Sequence, residues 1–158
     1  MTEAITNPAL AELEFLLGSW EMTLSAASFL PDPNETLTGH AEVEPIESGR
    51  LVALRQLTDP GGPPDATWVI GRDDSQPDYT VLYADNRGVT RIYRMSLNGD
   101  RWRIWRDDPD FSQRFDAAIA PDRDRIGGTW EKRSSTGEWE HDFDLRYTRV
   151  RSAALGER

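Results

Sequence analysis

Between Tyr79 and Arg106 the chain reads YTVLYADNRGVTRIYRMSLNGDRWRIWR. It alternates apolar and polar positions in three runs: Tyr79–Ala84, Val89–Leu97 and Arg101–Arg106. The breaks between them, Asp85-Asn86-Arg87-Gly88 and Asn98-Gly99-Asp100, are turn sequences. Period two interrupted in this way predicts a three-stranded antiparallel meander. Asn98-Gly99 predicts a type I′ turn, whose two central residues both need positive φ.

The same pattern extends in both directions. Trp20, Met22 and Leu24 share a side in a first strand after Gly18, and further strands are expected over Leu37–Glu44, Arg50–Thr58 and Ala66–Arg72. Downstream come Ser112–Ile119, Arg125–Lys132 and a long Trp139–Val150. Residues 59–65 hold three prolines, which lack the N–H a sheet interior needs, so they form a loop. The irregular segment 27–35 carries Phe29, either as part of a portal or lid or packed over a barrel rim. Ahead of the strands, Asn7 as N-cap, Pro8 in the first turn and Gly18 as stop bracket a helix over residues 7–17. Its Leu10, Leu13, Leu16 and Leu17 face one way.

About ten strands with tight connections, one N-terminal helix and no crossover helices predict an all-β fold. The expected form is an up-and-down antiparallel β-barrel with the helix capping one end. Residues 1–158 then make one domain, with the barrel over 19–150 and a frayed tail over 151–158. Parity also chooses the inward side chains. In the last strand Trp139, His141, Phe143, Leu145 and Tyr147 share the apolar face, and Tyr93, Met95 and Leu97 carry Arg91 inward with them. Trp102, Ile104 and Arg106 form another inward set, as do Ile126, Gly128 and Trp130. Gly128 leaves room either for a ligand or for a neighbouring tryptophan.

Composition narrows the chemistry. There is no cysteine, so thiolate catalysis, iron–sulfur clusters and cysteine-based zinc sites are excluded. A net charge of −10, from 28 acidic and 18 basic side chains, argues against nucleic acid and anionic membranes as partners. Glu3, Glu12 and Glu14 near the start, with no basic or apolar leader, make a soluble cytoplasmic protein the expectation, either monomer or homodimer. No G-x-S-x-G, P-loop or dinucleotide fingerprint occurs. Two histidines, His40 and His141, cannot build a histidine-rich metal site, although one could ligate haem iron.

Gly18-x-Trp20 after a short helix, followed by a continuous antiparallel barrel, resembles the calycin superfamily of lipocalins, fatty-acid-binding proteins and nitrobindins. YADNRGVTRIYRMSLNGDRWRIWRD, FSQRF and GGTWEKRSSTGEWEHDFDLRYTRV are similar to an actinobacterial family of lipocalin-like proteins over nearly the whole chain. That likeness implies the fold, not an activity. Nitrobindins hold haem through a histidine in a late strand, which makes His141 the counterpart here, although EHDFDLRYTR differs from their segment. Fatty-acid-binding proteins grip a carboxylate with Arg-x-Tyr in the last strand, whereas this chain has Tyr147-x-Arg149.

The expectation is therefore binding of a small, largely apolar or aromatic ligand, neutral or anionic, in the lumen. Trp20, Tyr93, Trp102, Trp130 and Phe143 would be its walls, and Arg91, Arg106 and His141 would fix its polar end. Two alternatives stand beside it: haem held by His141, and an enzyme using His141 or Tyr93 as acid/base. Each group also has a plainer reading. His141 would be a hydrogen-bonded core or rim histidine, Arg91 and Arg106 would pair with Asp85 or Glu131, and the tryptophans would be core and girdle.

Overall fold

The computed structural model describes residues 4–151 apart from Pro33 and Gly61. Ten strands follow one another: β1 (Gly18–Ser25), β2 (Leu37–Ile46), β3 (Leu51–Thr58), β4 (Ala66–Gly71), β5 (Tyr79–Asp85), β6 (Thr90–Asn98), β7 (Arg101–Arg106), β8 (Phe111–Ile119), β9 (Arg125–Ser134) and β10 (Glu140–Arg149). Each pairs antiparallel with its neighbour in sequence, and β10 returns to β1 through a register running from Trp20↔Arg149 to Ser25↔Asp144. The sheet is thus a closed all-β barrel with no free edge, as the alternation predicted. The tail expected to fray lies, beyond Arg151, outside the described residues. No helix among the described residues is long and apolar enough to cross a membrane.

The helix differs in kind from the expectation. Pro8–Leu16 is a 3₁₀-helix, capped by Asn7, whose side chain accepts from the Ala9 N–H. At three residues per turn, Leu10, Leu13 and Leu16 stack in one buried row, while Leu17 falls outside the helix as its C-cap. Spacing of three, not 3.6, is what these leucines offer. The helix covers the barrel end at which β1 starts. Trp20 Nε1 donates to Leu16 O at 2.8 Å, and Arg72 Nη1 donates to Ala9 O at 3.2 Å. Arg149 fastens the same end, donating to Leu17 O (2.9 Å), Asp124 Oδ1 (2.7 Å), Arg123 O (3.1 Å) and Phe15 O.

Two local details also differ. In the β6–β7 hairpin Asn98 pairs with Arg101, so the two-residue loop is Gly99-Asp100. Gly99 has φ +62 and Asp100 is not left-handed, a type II′ arrangement with glycine first. Gly128 makes no room for a ligand or a tryptophan. A Cβ there would meet Asp116 O and the Ala117 Cβ at 2.6 Å, so glycine is required by the close approach of the β8 backbone.

The main departure lies in β10. His141 pairs with Glu131 of β9 and Phe143 with Trp130, so Asp142 is an extra residue in a β-bulge. From Phe143 to Tyr147 the inward parity is as read from sequence, but before the bulge it is reversed. His141 is exposed on the outer wall, with Nε2 3.0 Å from Asp144 Oδ1. Trp139 also lies outside, between the Arg114 and Arg133 guanidinium groups at 4.0 and 4.6 Å from its ring centroid.

Candidate ligand cavity

Inward residues fill the capped half of the barrel and leave the other half open. At the capped end, Trp102 packs edge-on against Phe115 (5.5 Å between centroids) and tilted against Tyr147 (5.8 Å), and Trp20 meets Tyr147 at 6.3 Å. These rings enclose only a minor void. One layer up, Trp68 contacts Tyr83 (4.7 Å), Tyr93 (5.0 Å) and Trp130 (6.0 Å), forming an aromatic floor. Above it, toward the β3–β4, β5–β6 and β9–β10 connections, lies a cavity of about 480 Å³. Its size falls within the range of small-molecule sites.

Polar groups in the cavity wall are few and mostly engaged. Gln56 accepts from Trp68 Nε1 at 2.9 Å and donates to the Tyr147 hydroxyl at 2.8 Å, tying the floor to the packed half. Because an indole N–H can only donate, it fixes which way the Gln56 amide points. Burial pushes the Tyr147 phenol well above its ordinary pKa. Tyr93 donates to Gln113 Oε1 at 2.5 Å, and Arg91 Nη1 approaches the same oxygen at 3.5 Å. Burial outweighs the nearby arginines and raises the Tyr93 pKa, so this hydroxyl keeps its proton at neutral pH.

At the rim, Arg87 grips Asp85 through Nε and Nη2, and Tyr83 donates to the same carboxylate oxygen at 2.7 Å. The Arg87 hydrogen bonds, joined by those from Tyr83 and two backbone N–H groups, hold the Asp85 carboxyl far below the usual carboxylate range. Opposite, the Asp142 carboxylate accepts from Ser28 Oγ at 2.8 Å and stands 3.5 Å from Lys132 Nζ. Ser28 N–H also donates to Asp142 O at 2.7 Å. The bulge therefore anchors the β1–β2 loop, whose Phe29 lies edge-on to Phe143 (5.8 Å) over the cavity.

Of the residues singled out from sequence, Arg91, Tyr93, Trp130 and Phe143 meet in the cavity wall. Trp20 and Trp102 lie in the packed half below it. Arg106 is not in the wall. Its Nη2 binds Asp108 at 3.0 Å, while Glu131 pairs with Arg114 and Asp85 with Arg87. His141 is outside altogether. Neither histidine lines the cavity, so the residues present do not fit haem held through His141. Trp68, Tyr83, Gln56 and Gln113 also line the cavity and were not singled out. Parity could have found Gln56 and Gln113, since each continues an inward apolar set of its strand. Asp142 had no such signal.

The fold has a solved counterpart. The chain is similar to the crystal structure of Rv2717c from M. tuberculosis, with a TM-score of 0.65 and 17% identity over 91% of this chain and 98% of that one. That likeness establishes the barrel. At such identity it carries no ligand or activity across. Neither protein-family models nor curated proteins gave a match.

Proposed function

We propose that this calycin-like barrel binds a small, largely apolar or aromatic molecule in its open half. The observation that carries the reading is the contrast between the halves. One end is filled with side chains, while the other keeps a cavity of about 480 Å³ above Trp68, Tyr93 and Trp130. A barrel serving only as a rigid body would gain stability by filling that space, since each missing contact forfeits dispersion and burial energy. Aromatic walls with a small number of placed polar groups are the usual lining of such sites.

The test is native mass spectrometry of gently purified protein, followed by tryptophan-fluorescence titration with whatever mass is retained. A retained small molecule displaced by Trp130→Ala supports the reading. A clean apo mass, together with no response to a broad panel of aromatic and aliphatic compounds, counts against it. The enzyme reading now rests on Tyr93, whose protonated hydroxyl faces the cavity and would act as a proton donor, not a base. Turnover lost in Tyr93→Phe while binding persists would favour that reading over a carrier.

A further inference from the structure

We infer that the cavity takes an amphipathic monoanion, such as an arylalkyl carboxylate. Its charged head would sit at the mouth against Arg91 and Gln113, and its apolar tail would rest on the Trp68–Tyr93–Trp130 floor. The inference depends on the ligand-binding reading above and adds the ligand's charge and its direction.

The charge follows from an imbalance in the cavity wall. Two arginines line it. Arg87 is neutralised by Asp85 at 2.7 Å, whereas Arg91 has no carboxylate within 4.0 Å among the described residues. In a chain with 28 acidic side chains, a partner for Arg91 was not scarce. The acidic wall residue, Asp142, already faces Lys132 and Ser28 on the other side. Arg91 instead rests over the Phe111 ring, 5.4 Å from its centroid, beside the Tyr93 hydroxyl, and approaches the Gln113 side-chain oxygen at 3.5 Å. Both Arg91 and Tyr93 give their protons to that oxygen, and the Gln113 amide N–H group makes no hydrogen bond among the described residues. A guanidinium fork beside an amide donor is a receptor for a planar oxyanion.

The direction follows from depth. Arg91 pairs with Tyr83 one step from the last β5–β6 pair, Ala84↔Thr90, so it stands at the mouth. The next inward residue of β6 is Tyr93, already part of the floor, and Met95 and Leu97 beneath it are buried in the packed half. An anion held by Arg91 leaves the aromatic floor and the largely apolar wall of Met22, Leu24 and Leu145 for the rest of the molecule. Allowing each non-hydrogen atom the ~30 Å³ share of a water molecule, the cavity accommodates on the order of 15 of them. That is the size of a short arylalkyl acid and too small for a long fatty acid lying wholly inside.

The experiment titrates the full chain with carboxylates from phenylacetate to phenylhexanoate and with their primary amides, by calorimetry and tryptophan fluorescence. The acids are expected to bind about tenfold more tightly than the amides, the worth of a charge-assisted contact. Arg91→Ala should abolish the preference, weakening the acids more than the amides. Gln113→Glu, which sets a negative charge beside Arg91, should abolish it as well, and both variants are checked for an unchanged circular-dichroism melt. For direction, acids brominated on the ring should quench tryptophan emission more than acids brominated next to the carboxylate, and Trp130→Phe should shrink that difference. Equal affinity of acids and amides, unmoved by Arg91→Ala, overturns the anion assignment and leaves the cavity reading standing. Stronger quenching by the acids brominated beside the carboxylate overturns the direction. No binding by either series overturns the inference, and the cavity reading falls with it when the native mass is also clean and a broad panel of aromatic and aliphatic compounds gives no response.

Discussion

His141 and Phe143 lie on opposite sides of the barrel wall although only one residue separates them. In a regular strand residues two apart share a face, and here the extra residue Asp142 breaks that rule. The imidazole consequently makes an exposed pair with Asp144, while the phenyl ring stacks toward Trp130 at 6.5 Å. His141→Ala is therefore expected to change stability by no more than about 0.5 kcal/mol, the usual scale of an exposed pair. It should leave ligand affinity untouched. Urea denaturation and the phenylalkanoate titration check both, and a loss of binding would contradict the outward placement.

Gly128→Ala is expected to destabilise by about 1–3 kcal/mol, as overpacking does, because the new methyl group would press on the β8 backbone at Asp116 and Ala117. Gly127→Ala, one residue away with nothing within 4 Å of the added Cβ, is the matched control and should be close to neutral. Chemical denaturation of the two variants side by side gives the answer.

Arg149→Ala is expected to cost about 1–3 kcal/mol. It leaves the Asp124 carboxylate, of which only 21% of the side chain is exposed, to Arg151 alone, and releases the carbonyls of Phe15 and Leu17. Loss of this anchor should be felt at the capped end. Amide hydrogen exchange should accelerate in Pro8–Leu16 and at the start of β1, with much smaller changes around the cavity.

Asp85 predicts an acid-sensitive mouth. Its carboxyl titrates below the ordinary value of about 3.9 when folded, so the folded state holds the proton less tightly than the unfolded chain. The resulting stabilisation is fully present above that ordinary value and is lost as pH falls through it toward the folded pKa. Asp85→Asn should be less stable at neutral pH and should lose less on acidification to about pH 3. Urea midpoints across that range would show two converging curves. Parallel curves would mean that the rim cluster contributes little.

All ten strands could be read from the sequence because each combines period two with a turn made by glycine, proline or asparagine. Arg101–Arg106 begins and ends where the pattern placed it. What could not be read was any feature that changes geometry without changing composition. The bulge adds a residue to β10 with no glycine or proline to announce it, so strict alternation puts Trp139 and His141 on the wrong side. The leucines at spacing three looked like one face of an α-helix. Alternation also says that Trp102 and Trp68 both point inward without saying that one meets Phe115 and Tyr147 in a packed end while the other bounds an open space. Volume is set by contacts between strands distant in sequence, and those contacts have no local signature.

The floor made by Trp68, Tyr93 and Trp130 divides the molecule into a foundation and a chamber with separate tolerances. Below it, side chains from helix and strands interlock, and a change at one is felt by its neighbours. Above it, Gln113, Phe111 and Arg91 border space, so their replacement alters the shape and charge of the chamber. A lineage of such barrels can reshape the chamber by editing the upper wall alone. Two descendants could share the lower half almost residue for residue and differ wholly in the shape and charge of the upper one.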